Sequence, residues 1–260
     1  MEHLQNTTFV RGFHPAQELK TRALNASCNG FCKKLTPSQL DARETFIQLY
    51  LHPSDISVQE LMSQFMELLD KFFFFGLLTQ GDESERLPLC VCEKPQHDVY
   101  GLSGYFNRSE YEMTLLTTIW GTNAPSTLDL LLGALSHEMT HAYLDVYFDP
   151  DLTELSEVEA YRGHGTVFTA ICNAIHDTIR SWDPALAGLH VDSEPLNKIL
   201  RDDSLVIVGD KFRPIQEYFE ALKAPSLSQW AITLIPRIVS KVLFSYDNYA
   251  TSAQALVRPN

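Results

Sequence analysis

No stretch of this 260-residue chain strings together 18 apolar residues, which excludes a conventional transmembrane helix. The segment Met1 to Lys20 has no apolar block and carries Glu2, His3, Gln5, Asn6, Arg11 and His14, so it does not read as a secretory signal. Cysteine is scarce: there are five, an odd number. Cys28 with Cys32 is spaced CxxxC and Cys90 with Cys92 is spaced CxC, neither being the CxxC pair of a zinc ribbon. Free thiols in a reducing compartment are expected, hence an intracellular protein of nucleus or cytoplasm with no membrane partner. The glycosylation-type triplets at Asn6, Asn25 and Asn107 carry no weight without a secretory route. Positive charge is also in short supply, 20 Lys and Arg against 33 Asp and Glu, for a net charge of -13. That balance argues against phosphate-backbone binding by the whole surface. Lys33-Lys34 and the Arg237/Lys241 pair read as ordinary solvated surface. No internal repeat is visible.

What is present is a globular composition, 45% hydrophobic and 20% charged, and one motif, His137-Glu138-Met139-Thr140-His141. By residue frequencies alone HExxH turns up by chance in about one chain in 100 of this length, so its setting decides. Leu128, Leu131, Leu132, Leu135, Met139, Ala142 and Val146 recur at helical spacing around it. Ser126 with Asp129 resembles a capping box at the start, and Asp149-Pro150 ends the run. On such a helix the two histidines lie one turn apart on one face and can share a metal ion. The glutamate beside them is free to act on water. Two bare imidazoles in apolar surroundings would need polar partners, and a zinc ion meets that need.

Around this helix the chain reads as α+β. Residues 1–36 are polar and read as a loosely ordered N-terminal segment. Helices are expected over Pro37 to Leu51 and from Ser57, where Ser57-Val58-Gln59-Glu60 is a capping box, to Phe72. Phe72 to Phe75 read as a helix end wedged into the core, with Gly76 as its C-cap. Leu89–Cys92, Val99–Phe106 and Tyr111–Ile119 predict a small three-stranded antiparallel sheet, with a turn at Asn107-Arg108-Ser109. Such a sheet could bind an extended substrate by adding a strand, in which case Tyr111 and Met113 would affect cleavage without affecting zinc. After an acidic connector, Gly163-His164-Gly165 opens a helix through Val167, Phe168, Ile171, Ala174, Ile175 and Ile179. Residues 37–182 are read as one core and 183–260 as a mostly helical extension of unknown role. That extension has a short strand at Leu205 to Val208 and helical runs over Ile215 to Lys223 and Leu227 to Phe244, the last broken by Pro236.

A catalytic zinc takes three protein ligands and a water. The metzincin spacing fails because Leu144 and Tyr147 stand where it needs glycine and histidine. His164 is the stronger third ligand: two glycines free the backbone around it, at the entry to a helix. Glu154, Glu157 and Glu159 remain alternatives, and His176 reads as a core or surface residue. HEMTHAYL followed by GHGTVF resembles the SprT-like, or Spartan-like, metalloprotease domain, with His137, Glu138, His141, His164 and Phe168 matching over a region of roughly 40–180. The aromatic stretch Phe72 to Leu78 is similar as well. The His141 to His164 connector is longer than the family's. No cysteine pair follows the core, since Cys172 stands alone, and no basic tail is visible.

The resemblance implies a zincin-like fold and a zinc endopeptidase in which His137, His141 and His164 hold Zn²⁺ and Glu138 is the general base. Its substrate would be a protein or peptide. It also implies a possible link to DNA–protein crosslink processing, though the acidic charge does not support a DNA partner. Tyr161 could add an oxyanion donor, but reads more simply as a packed aromatic. The rival reading is a non-catalytic, zinc-stabilised interaction module, which would have no use for Glu138. A secreted fungal-type protease is opposed by the missing signal and the odd cysteine count.

Overall fold

The computed structural model describes residues 9–27, 34–53, 56–82, 85–93, 103–119, 124–151, 164–189 and 205–222. Cys28, Cys32, Lys33, Glu154, Glu157, Glu159, Tyr161, Arg237, Lys241 and the 227–244 run lie outside them.

Helix α4, Leu128–Tyr147, is the centre of the molecule. It is apolar nearly all round, as a helix covered on every side must be. Leu131, Leu132, Leu135, Met139 and Ala142 have no measurable exposure. Its N-cap is Thr127, whose side chain accepts from the Leu130 amide, and not Ser126 as the capping-box pattern predicts. Ser126 is turned away, its hydroxyl donating to the Leu116 carbonyl at 2.8 Å. The helices α1 (Ala16–Ser27), α2 (Pro37–Leu51) and α3 (Val58–Leu69) precede α4. Helix α5, Thr166–Trp182, lies against it.

Within the N-terminal segment, the described residues 9–27 are ordered around a helix and not loose as their polarity predicts. In α1 the residues Ala16, Leu19, Ala23 and Ala26 are buried. Tyr143 of α4 donates to the Leu19 carbonyl, and Thr178 of α5 donates to the Ser27 carbonyl. The apolar face is narrow and mostly alanine, so polar neighbours such as Gln17, Glu18 and Lys20 dominate the sequence signal.

Helix α2 is closed by a reciprocal box between Thr36 and Gln39, and α3 by Ser57, whose side chain accepts from the Glu60 amide. Helix α3 runs into a π-turn, Asp70–Phe74, that seats Phe72, Phe73 and Phe74 in the core beside Trp182 and Tyr143. The chain leaves through Phe75 itself, in left-handed backbone at φ 59 and 52% exposed, with Gly76 following at φ 81. Glycine is therefore the second left-handed residue here and not the first. Buried Asp70 anchors this exit, accepting from the Leu78 and Thr79 amides and the Thr79 hydroxyl. Burial outweighs these bonds and raises its carboxyl above the ordinary aspartate value.

The sheet is mixed and not antiparallel throughout. Its order is β1 (Leu89–Cys92), β3 (Glu112–Leu116), β2 (Gly104–Asn107). Strand β2 pairs antiparallel to β3 across the tight 108–111 connection, while β1 pairs parallel, Leu89 opposite Met113. Strand β3 is central and its Met113 fully buried, so Met113 cannot offer an edge to an added strand, while Tyr111 lies in the connection before it. The outer edge of β1 is occupied by the Gln59 carboxamide, which donates to the Leu89 carbonyl and accepts from the Val91 amide. Among the described residues that leaves β2 as the sheet edge beside α4. Gly104 lets β2 lie close against β3: a Cβ there would stand 2.9 Å from the Thr114 carbonyl and 2.9 Å from Leu115 Cδ2, with Ala134 of α4 at 3.6 Å. Gly104→Val is expected to lower stability by about 1–3 kcal/mol, as overpacked sites do; a urea midpoint equal to wild type would contradict this contact.

Past α5, the Pro184–Gly188 turn buries Leu186. The hairpin of β4 (Leu205–Val208) and β5 (Lys211–Pro214) leads into helix α6 (Ile215–Leu222). The hairpin sits on the core, Val206 bridging Thr127 and the Asp210 carbonyl accepting from the Val58 amide. The described parts of the 183–260 region are thus the short helical turn and, over 205–222, a strand pair followed by a helix. The whole is α+β, and no described helix is long and apolar enough to cross a membrane.

Candidate metal centre

Helix α4 carries His137 and His141 one turn apart, and the backbone entering α5 delivers His164. Gly165 is the N-cap of α5, in extended conformation and without a side-chain cap, so nothing but backbone stands between His164 and the helix it opens. The three imidazoles converge. His164 Nε2 lies 3.1 Å from His141 Nε2 and 3.1 Å from His137 Nε2. All three ligand nitrogens fall within 4.8 Å of one another. Each ring nitrogen has one in-plane lone pair or one proton, so hydrogen bonding can serve one of these close contacts well but not both. A shared cation serves all three. Tetrahedral zinc with Zn–N bonds of about 2.0–2.1 Å places its nitrogens about 3.3 Å apart, close to what is found.

The rings are pre-set for this. Phe168, one turn into α5, stacks on His141 at 4.2 Å between centroids and packs edge-on to His137 at 4.9 Å. Burial pushes His137 down to about 3, with His141 and His164 adding to the effect. Burial, then His164 and Arg108, likewise push His141 down to about 3. Both are therefore neutral at physiological pH, the form that binds a metal. Glu138, between them in sequence, is only 8% exposed.

His164 is exposed while His137 and His141 are half-buried, so the cluster opens to solvent on the His164 side. Three is the full donor set among the described residues. Three histidines with an open side is the donor count of a catalytic zinc, whereas structural sites close with four. The glutamates offered by the connector as alternative ligands, Glu154, Glu157 and Glu159, fall outside the described residues. At the rim, Arg108 from the β2–β3 turn forms an ion pair with Asp145, one turn beyond His141.

Two features escaped the sequence reading. One is this Arg108–Asp145 pair. The other is a buried link behind the site: Ser136 Oγ lies 2.7 Å from His176 Nε2, and His176 has no exposure. Both residues lie on the apolar stripes of their helices, Ser136 among Leu132, Leu135 and Met139, His176 among Cys172, Ile175 and Ile179. Two polar residues on facing apolar stripes are the signal that would have paired them. His176 is thus a core residue and stands outside the ligand set. Comparison with protein-family models, with curated proteins and with solved structures gives no match to this chain.

Proposed function

We propose that this protein is a zinc endopeptidase of the SprT-like type, with a zincin-like core. The observation that carries the proposal is the convergence of His137, His141 and His164 around one point, with Glu138 held on the same helix turn. The resemblance of HEMTHAYL and GHGTVF to that family points the same way. Zn²⁺ bound there would supply Lewis acidity, lowering the pKa of water toward neutrality and polarising the scissile carbonyl.

The chain's own residues do the rest. The three neutral imidazoles hold the ion and leave one side open. Glu138 takes the proton of the attacking water and hands it to the leaving amine nitrogen. The β2 edge beside α4 is where an extended peptide can lie. A protein or peptide is the substrate class. The charge of -13 disfavours a DNA partner; if low-salt DNA accelerates cleavage, a role in crosslink processing is restored.

Metal analysis tests the assignment. The wild-type protein is expected to hold about one zinc per chain, and His164→Ala to lose it or bind it at least ~10-fold more weakly. Zinc kept by His164→Ala would move the third ligand to the Glu154–Glu159 connector and break the family assignment. No zinc in either protein would remove the proposal.

A further inference from the structure

We propose that His176 is a positioning residue for the metal centre: through its bond to Ser136 it fixes the height at which α5 presents His164 to the two histidines of α4. This role rests on the zinc reading above.

Helices α4 and α5 run antiparallel. Ser136 meets His176 in the second half of α5, while His141, further along α4, meets His164 and Phe168 at the start of α5. Any slide of α5 along α4 therefore moves His164 relative to His137 and His141 by the same amount. A metal site tolerates only about 0.2 Å in its bond lengths. The buried apolar residues of α5, among them Val167, Ile171 and Ile175, are poor rulers. Dispersion is non-directional and changes slowly with a small slide. A buried hydrogen bond is directional and costly to leave unmade.

The Ser136–His176 link is built as a fixed chain of donors. The Ser136 hydroxyl has the Leu132 and Gly133 carbonyls at 3.1 and 3.0 Å, so it donates there. With the hydroxyl proton directed there, the Ser136 oxygen pairs at 2.7 Å with the Nε2–H tautomer of His176, whose ring also bonds the Gly133 backbone. Nδ1 of the same ring lies 3.8 Å from Cys172 Sγ. Ser136 is 2% exposed, Cys172 3%, and His176 fully buried, so no water competes. Ser136 immediately precedes His137, and its carbonyl accepts from the Thr140 hydroxyl at 2.9 Å. The link thus grips α4 at the turn that carries the ligands. It leaves the metal's own coordination untouched.

The test uses the full chain and two readouts that hold for an inactive protein: zinc affinity by competition with a chromophoric chelator, and the visible spectrum of the cobalt-substituted site. His176→Leu fills the volume but removes the bond. It is expected to fold, bind zinc ~10-fold more weakly or worse, and show an altered cobalt spectrum. His176→Gln, whose carboxamide nitrogen can stand in for Nε2, is expected to recover most of both. Ser136→Ala, which leaves the ring's bond to the Gly133 backbone, should shift both readouts in the same direction as His176→Leu but by less, and the double variant should lose little more than His176→Leu alone. A merely structural histidine would lower stability without changing the cobalt spectrum.

The proposal is overturned if folded His176→Leu keeps wild-type affinity and spectrum, or if His176→Gln is as impaired as His176→Leu. Should His176→Leu fail to fold, Ser136→Ala and His176→Gln decide by the same readouts. A wild-type chain without zinc removes the metal reading and this role together. Zinc-loaded wild type with unaffected variants removes this role alone.

Discussion

Glu138→Gln is expected to keep its zinc and lose peptidase activity by about 10²–10⁴-fold, the usual contribution of a positioned general base. The two side chains have nearly the same shape, so a residue only 8% exposed can be exchanged without a cavity or a clash. A carboxamide cannot take a proton at neutral pH. The proton of the attacking water would have no acceptor at the site, and the amine leaving group would have no donor. The loss should fall on kcat, with KM nearly unchanged, because in the proposed mechanism the glutamate acts in the transition state and not in holding the peptide. Hydrolysis of a quenched peptide, with zinc content measured on the same samples, reads both quantities. If zinc is retained and activity stays within ~10-fold of wild type, Glu138 is not the base and the mechanism falls. If the wild type itself shows zinc and no hydrolysis of any peptide or unfolded protein, the interaction-module reading takes its place.

Much of the site was legible because its information is local. His137 and His141 share a face through helical period alone, and the glycines flanking His164 mark a backbone free to approach another helix. The Phe72 to Phe75 run announced a buried helix end, and three of its four rings are buried. What stayed hidden depends on tertiary context. The four residues of β1 carry no mark of strand direction, so its parallel pairing with β3 could not be read. Helix α1 buries small alanines beneath a polar surface, and its amphipathic pattern is faint. The start of α4 turned on whether Ser126 or Thr127 caps it, and Ser126 was claimed by the Leu116 carbonyl from another part of the chain. The bond between Ser136 and His176 joins positions far apart in sequence, each of which looks like an exception on its own helix.

The metal-free protein is expected to lose stability steeply as pH falls from about 6.5 toward 4, and to be nearly insensitive to pH above about 7.5. Three histidines carry this. Burial holds His137 and His141 down at about 3 and His176 at about 4, against 6.5 for a free side chain. Between those values the unfolded chain binds protons that the folded chain refuses. Acid therefore favours unfolding, and stability rises with pH through the window. Each histidine adds a slope of up to about 1.4 kcal/mol per pH unit, so three together approach about 4. Asp70 works in the opposite sense, because its raised carboxyl takes up a proton more readily in the folded state. Melting temperatures in chelator at pH 7.5, 6.5, 5.5 and 4.5 would trace the curve. His176→Leu, which removes one of the three groups, should flatten it by about a third, and saturating zinc should protect the wild type until protons displace the metal. A melting temperature unchanged between pH 7.5 and 5.5 in the metal-free protein would mean that these imidazoles are not buried as neutral groups. The packing of α4 against α5 that holds His164 over His137 and His141 would then be wrong as well.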